Sequence, residues 1–435
     1  MSDKRILIIG ADGMRPDSFD PDLMPNYASL MQEGSFYPNF RAAYPSHTRV
    51  NAATLSTGQR PGKHGLVSNV MYTPEASEPL LDTSKAQQLL AYGQETGDLL
   101  LVEGLGDKLA AKGKRLAVAS AGSSGSALLW NPNHRERTIN PNWHFDESEL
   151  VALHEKLGEP SKEMGRSKLE ACHWVTDAMI DCLLDDEQNQ VITLWLSEPD
   201  SSQHFYGLGS PEAKAALRCV DDCVGKVLHA LEDRGLEEDF ELFLISDHGH
   251  ATVQAGISLS DVLKHAQSEL ELKNAYVPVL DFIYAKNKSD INTKELARLA
   301  DWLYVQDWCE AVYAPMRLGL SSAMALEDLI GPIHHDRVPL LALNPKNSAE
   351  QNEFGVAGIT ESLSPYSMLK SSHGSLSPFE MNAFCLAVGE SFATGKVDER
   401  ACGTLDIAPT IAEILGFDGS AMDGQPLHRK ELSHV

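Results

Sequence analysis

Short runs of aliphatic and β-branched residues recur along the chain, with amphipathic stretches between them. The runs Arg5 to Ile9, Leu116 to Ala119, Val191 to Leu196, Glu241 to Ile245 and Ala383 to Val388 are apolar at most positions instead of alternating. That is the pattern of strands buried on both faces. Gly104 to Lys112, Lys168 to Leu184, Ala213 to Leu231 and Leu405 to Leu415 carry apolar residues three to four apart, which predicts helices with one face on a core. Strands alternating with helices predict an α/β fold with a doubly wound, mainly parallel sheet flanked by helices.

Ligands gather at the carboxyl ends of the strands in such sheets, and three of these runs lead into acids. Ile6-Leu7-Ile8-Ile9-Gly10-Ala11 runs into Asp12, Leu194-Trp195-Leu196-Ser197-Glu198-Pro199 into Asp200, and Phe243-Leu244-Ile245-Ser246 into Asp247-His248. From about Thr252 to Leu369 the pattern weakens, with a predicted helix near Thr293 to Leu303 and a loop-like stretch from Asn344 to Glu353. Residues 252–369 are therefore read as a cap inserted into a catalytic domain made of 1–251 and 370–435. A smaller insertion is expected over Tyr72 to Gly97, where periodicity is poor. There is no internal repeat and no low-complexity tract.

Composition narrows the function. With 43% hydrophobic and 23% charged residues over 435 positions, the chain has the makeup of a soluble globular protein. Its net charge of −26 argues against a nucleic-acid polymer as partner, since phosphate neutralisation needs clustered cations. An anionic substrate would have to be drawn by a local positive centre, which bound metal ions supply. The first strand begins close to Met1 and no apolar stretch approaches a membrane span, so a cytoplasmic protein without a membrane partner is expected. Cys172, Cys182, Cys219, Cys223, Cys309, Cys385 and Cys402 are odd in number and mostly flanked by apolar residues, which speaks for core packing over a disulfide framework.

Asp200 and His204 stand four apart, a spacing that puts both on one face of a helical turn. A carboxylate and an imidazole suit zinc or a similar divalent ion, though a helix cap beside a surface histidine has the same spelling. Asp247-His248 after an apolar strand offers adjacent donors that could line a site for two ions. His373, in Ser371-Ser372-His373-Gly374, follows the weakly patterned segment. Asp12 could cap a helix or face an active site.

The order of these motifs, ending in His373-Gly374 before the last strand, resembles the alkaline phosphatase superfamily. Within it the chain looks most like the type I phosphodiesterase and nucleotide pyrophosphatase family. The resemblance runs from the first strand to Asp406-Ile407-Ala408-Pro409-Thr410 and leaves only the cap poorly matched. It implies that Asp200, His204 and His373 hold one divalent ion while Asp12, Asp247 and His248 hold a second, zinc being favoured by the donors and manganese remaining open. In the family a Thr opens a helix in a segment resembling Thr-Phe-Pro-Asn-His, ten residues before the Gly of a Thr-Gly pair; counting back from Thr57-Gly58 reaches Thr48. That register makes Thr48 the nucleophile and a neighbour of the second ion, puts Asn51 on the family's Asn, and makes Asn69, in His64-Gly65-Leu66-Val67-Ser68-Asn69, the residue that contacts the phosphoryl oxygen. A rival register matches Tyr44-Pro45-Ser46-His47 but puts Ala43 at the nucleophile, and Ser46 is the other hydroxyl within reach.

Three departures from the family pattern touch the site: Gln203 stands where a Gly precedes the His, Arg49-Val50 where Phe-Pro follows the nucleophile, and His250 where Met follows His-Gly. His250 could be a surface residue, a donor behind the ligands or a substrate contact, and Arg49 a phosphate-binding or merely exposed side chain. The expected function is hydrolysis of a phosphoric diester, or a related phosphoric ester, on a small molecule through a phospho-Thr48 intermediate. The alternatives are carbon–phosphorus hydrolysis of a phosphonate, similar to phosphonoacetate hydrolase, a phosphomonoesterase, and an inactive metal- or nucleotide-binding protein.

Overall fold

Three parallel strands, Arg5–Ala11, Asn189–Leu196 and Phe240–Ile245, form the middle of the molecule and end side by side, Gly10 pairing with Trp195 on one flank and Ile245 on the other. They are buried along their whole length, as their continuous apolar spelling requires. The computed structural model describes residues 4–144, 146–160, 166–287, 289, 291–363 and 369–427. Residues 364–368 of the expected cap and 428–435 of the expected catalytic domain lie outside that set.

The central sheet has eight strands in the order Lys396–Val397, Ser35–Phe36, Cys385–Val388, Phe240–Ile245, Arg5–Ala11, Asn189–Leu196, Arg115–Ser120 and Thr138–Ile139. Its centre is parallel, and Cys385–Val388 joins it antiparallel. Helices cover both faces. One core contains Leu7, Ile9 and the helices Leu169–Cys182 and Pro211–Arg234. The other contains Ile6, Ile8 and the helices Thr48–Thr57 and Ile407–Leu415. At about 1.5–3 kcal/mol for each fully buried aliphatic side chain, these two layers fix the strand ends and so the residues that follow them. No helix among the described residues is long and apolar enough to cross a membrane.

Gly10 links packing to chemistry. A Cβ there would lie 2.0 Å from the Trp195 ring, so only glycine lets the indole lie across the first strand, where its Nε1 donates to Asp12 Oδ2 at 3.0 Å.

One sequence expectation is corrected. The stretch Asn344 to Glu353 is not a loop: Leu341–Pro345 and Asn347–Gln351 are strands, the second pairing antiparallel with Ala357–Ser362. Backbone pairing needs no apolar side chains, so Asn, Ser and Glu hide it from a periodicity reading. Within Tyr72 to Gly97 the hairpin Val70–Tyr72 and Leu80–Asp82 precedes a helix, Ala86–Thr96, that buries Ala86, Leu89 and Tyr92. That spacing of three was present but short.

Between Ala251 and Ser372 the chain builds a five-stranded sheet in the order Tyr276–Val279, Phe282–Ala285, Leu341–Pro345, Cys309–Ala314 and Met324–Ala325. The helix Thr293–Tyr304 lies against its own core of Leu296, Leu299, Leu303, Ile283 and Leu341. The other face meets the catalytic side through Tyr44, whose ring centroid lies 6.4 Å from that of Phe282 and 6.5 Å from that of Tyr313.

Candidate metal centre and active site

The three strand ends deliver three carboxylates to one place. The Asp12 N–H donates to Leu196 O and the Asp200 N–H donates to Asp12 O, both at 3.0 Å, so the first and second acids are stitched together through the backbone. Asp247 Oδ1 accepts from the N–H groups of Gly13 and His248 at 3.2 and 3.1 Å. The Asp200–Tyr206 segment is helical, which sets His204 one turn beyond Asp200. His373 follows the strand Ser371–Ser372, which pairs antiparallel with Ala251 and Thr252 just beyond Asp247-His248.

Imidazole orientation follows from the backbone carbonyls behind the rings. Nδ1 of His248 lies 2.9 Å from Gly249 O, Nδ1 of His204 lies 2.8 Å from Ser371 O, and Nδ1 of His373 lies 2.6 Å from Ser46 O. A carbonyl can only accept, so each Nδ1 carries a proton; burial lowers His248 and His373 toward the neutral form, in which Nε2 presents a lone pair, whereas the Asp200 charge raises His204 against its burial. Each Nε2 faces the acids: His204 and His373 Nε2 lie 3.3 and 3.5 Å from Asp200 Oδ1. His248 Nε2 lies 3.4 Å from Asp12 Oδ1 and 3.2 Å from Asp247 Oδ2.

This arrangement tests whether cations fit. Asp12 Oδ1 and Asp247 Oδ2 are buried and make no hydrogen bond; their short separations from His248 Nε2 have the wrong geometry for one, and a nitrogen lone pair cannot donate. Buried oxygen lone pairs converging on a nitrogen lone pair repel unless something positive stands between them. Asp and His donors held by backbone partners are the surroundings of a metal centre. The donors fall into two overlapping groups, Asp12 with Asp247 and His248, and Asp200 with His248, His250 and His373. Burial, with the Asp247 and Asp200 charges, pushes the Asp12 carboxyl well above the ordinary range. Burial also opposes ionisation of Asp200, but His204 and His250 outweigh it and hold that carboxyl well below the ordinary range. Burial pulls His373 well down and His250 down to about 4, favouring their neutral forms.

His250 is the donor that sequence reasoning left open. It is fully buried, its Nε2 lies 2.7 Å from Asp200 Oδ1, and its Nδ1 lies 3.1 Å from Ser371 Oγ. The signal was the spelling Asp-His-Gly-His, whose second His shares the direction of the strand end. Gln203 is buried, and its backbone carbonyl accepts from Ser371 Oγ.

Thr48 opens the helix Thr48–Thr57, and its Oγ1 lies 3.1 Å from His248 Nε2. Asn51 holds the preceding loop, accepting from the Ala43 N–H and donating to the carbonyls of Ala43 and His47. Asn69 reaches the same helix start, its Oδ1 accepting from the Arg49 N–H at 3.2 Å. Ser46 is fully buried and its hydroxyl is engaged, donating to Ser375 O and accepting from the Gly374 N–H.

Two cavities meet at Thr48, Arg49 and Asp200. One, of about 380 Å³, also reaches Asn69 and the carboxylates Asp82, Asp281, Glu361 and Glu380. The other, of about 590 Å³, extends past Asp12 to Ser123, Ser126, Lys168 and Ser197. No Phe, Tyr or Trp lines either cavity among the described residues.

A separate group of donors lies on the helices Leu169–Cys182 and Pro211–Arg234. His173 Nε2 lies 3.5 Å from Cys219 Sγ and His173 Nδ1 lies 3.5 Å from Cys223 Sγ. All seven cysteines are free thiols.

Comparison with known proteins identifies a family and a fold. The model of the type I phosphodiesterase / nucleotide pyrophosphatase family matches residues 6–343. Ectonucleotide pyrophosphatase/phosphodiesterase family member 1 of Rattus norvegicus is 29% identical over 252 residues, which is 56% of this chain and 24% of that protein. The chain thus matches about a quarter of that relative's length. The Bos taurus bis(5'-adenosyl)-triphosphatase ENPP4 is 24% identical over 445 residues, 99% of this chain and 82% of that protein. Murine ectonucleotide pyrophosphatase/phosphodiesterase 5, solved as an inactive variant in complex with AMP, superposes with a TM-score of 0.65 at 17% identity and covers 97% of each chain. That likeness establishes the alkaline phosphatase-like fold.

Proposed function

The chain belongs to the type I phosphodiesterase / nucleotide pyrophosphatase family, and from that premise we propose that it is a two-metal hydrolase of small phosphoric diesters or anhydrides with Thr48 as nucleophile. The observation that carries this reading is the Thr48 hydroxyl, seated 3.1 Å from His248 Nε2 at a helix start beside the unpartnered oxygens of Asp12 and Asp247. Asp12, Asp247 and His248 would hold one divalent ion and Asp200, His204 and His373 another, with His250 behind Asp200. Bound there, zinc or manganese would lower the cost of the threonine alkoxide and of the developing charge on the leaving oxygen.

The chain's own groups account for the rest. Thr48 Oγ attacks phosphorus as the bond to the leaving oxygen breaks, the threonine proton passes to solvent, and the leaving oxygen takes one up. Water then hydrolyses the phospho-Thr48 ester and restores the hydroxyl. Because Asn69 Oδ1 is occupied by the Arg49 N–H, its NH₂ group remains to donate to a phosphoryl oxygen. Ser46 is a poor alternative nucleophile, since both roles of its hydroxyl are used in holding the His373 loop.

The test is turnover of bis-(p-nitrophenyl) phosphate, p-nitrophenyl phosphate and phosphonoacetate by the wild type and by Thr48→Ala. The diester is expected to turn over fastest and Thr48→Ala to lose roughly 10³-fold or more, with a phosphorylated Thr48 peptide trapped by acid quench of the wild type. Unchanged turnover in Thr48→Ala would sink the assignment.

A further inference from the structure

His47 stands immediately before Thr48, and only one side of its ring is used by the protein. Nδ1 accepts from the Asn69 N–H at 3.2 Å, which leaves the proton of the neutral ring on Nε2. Burial, with the charges of Arg49 and His248, pulls the ring down to about 3 and keeps it neutral. His47 is only 4% exposed, yet no group among the described residues accepts from its Nε2. An N–H buried without a partner costs about 1–3 kcal/mol, so this one marks a place for a ligand oxygen. The chain beside His373 sets where that place is. A Cβ on Gly374 would lie 2.5 Å from His47 Nε2, and Gly374 has a φ of 132°, so glycine admits the ring there. The ring centroids of His47 and His373 are 6.1 Å apart.

That position is on the departing side of the reaction. In-line displacement puts the leaving oxygen opposite Thr48 Oγ1 across phosphorus. Thr48 Oγ1 lies against His248, so the leaving oxygen falls toward His204 and His373, which line the smaller cavity and not the larger, as His47 does. Apart from the residues that would hold cations, the charged groups lining that cavity are Asp82, Asp281, Glu361 and Glu380 against Arg49. Negative charge growing on an oxygen in those surroundings needs a donor beside it. We infer that His47 is a catalytic residue whose Nε2–H donates to the leaving oxygen as its bond to phosphorus breaks, while Nδ1 holds the Asn69 backbone. The ring stays neutral, and the leaving oxygen draws its proton from solvent. The inference rests on Thr48 as the attacking group.

The experiment measures kcat/KM for methyl aryl phosphate diesters whose aryl group runs from p-nitrophenyl through p-chlorophenyl to phenyl, so that the leaving oxygen carries progressively more charge. His47→Asn keeps an acceptor for the Asn69 N–H and deletes Nε2–H, whereas His47→Gln restores an N–H near the Nε2 position. His47→Asn should lose about 100-fold on the phenyl ester and no more than about tenfold on the p-nitrophenyl ester, and His47→Gln should recover most of the difference. An equal loss on all three esters would make the ring merely structural and overturn the inference, as would no loss on any. Long-range proton–nitrogen NMR of the zinc-loaded wild type reads the contact without turnover. The Nε2–H signal, assigned by its absence from His47→Asn, should shift when orthovanadate, whose apical oxygen takes the leaving position, fills the site; an unmoved signal would also overturn it. A steeper dependence on the leaving group in His47→Asn beside undiminished turnover in Thr48→Ala would keep the donor and discard the nucleophile, so the two readings fail separately.

Discussion

Among its described residues the protein gathers metal-type donors in two places, and they differ in how their lone pairs are satisfied. At the strand ends, Asp12 Oδ1 and Asp247 Oδ2 are buried without partners, and each of three imidazoles is held by a carbonyl so that Nε2 faces the acids. Between the helices Leu169–Cys182 and Pro211–Arg234, two thiols meet opposite nitrogens of one imidazole, His173. There the donors lie within hydrogen-bond reach of one another, although one nitrogen of His173 and the two thiols are also close enough together for an ion. The two places differ in need: the first holds buried oxygens without a hydrogen-bond partner, whereas in the second each thiol has a ring nitrogen beside it.

The sharpest way to break this contrast is to remove donors from each place. Asp247→Asn and His248→Ala are expected to lower diester turnover at least roughly 100-fold and to reduce bound metal from about two ions per chain, as read by elemental analysis. Cys219→Ala and Cys223→Ala should change neither by more than about twofold. Loss of metal from the cysteine variants would reverse the ranking of the two clusters.

Chelation should act on one place only. Because the strand-end carboxylates lose their counter-charge, exhaustive chelation is expected to lower the thermal midpoint by several degrees, and zinc or manganese to restore it. The same treatment of Asp247→Asn should produce a smaller shift. Equal shifts in both proteins would mean that the ions bind elsewhere.

His250 sharpens the comparison within the first place. His250→Gln, which keeps a donor toward Asp200 but no imidazole, should cost about 10- to 100-fold in turnover if the ring only orients Asp200. Retention of both metal ions alongside that loss would assign it a positioning role, whereas loss of one ion would make it a ligand.

The smallest effect belongs to the helix cluster. A hydrogen bond with Cys223 raises the His173 pKa against its partial burial. A raised folded pKa adds stability that is full below the unfolded value of about 6.5 and fades as pH rises through the folded value. The thermal midpoint of wild type relative to His173→Gln should therefore be highest near pH 5.5 and decline toward pH 8.5. A flat difference across that range would show that the ring titrates independently of the thiol.

Much of this was legible in sequence because it is local. Continuous apolar runs mark strands buried on both faces, so the residues after them, Asp12, Asp200 and Asp247-His248, fall at strand ends whatever the rest of the chain does. The spacing from Asp200 to His204 needs only one helical turn. Other features carried too little local signal. Asn347–Gln351 is a strand through backbone pairing, and nothing in Asn-Ser-Ala-Glu-Gln announces it. His250 and His173 are each a single histidine until a partner from another element, Asp200 or Cys223, arrives beside them.

The amino-acid sequence by itself determined the α/β architecture and the acids at its strand ends, because periodicity reports which faces are buried. Only the tertiary structure decided that His373 joins those acids after a separate sheet intervenes, that Ser46 is spent holding its loop, and that a carboxylate-rich cavity and a lysine-bearing one meet at Thr48. Those are facts about lone pairs and charges brought together across long stretches of chain, and no local pattern encodes a partner that distant.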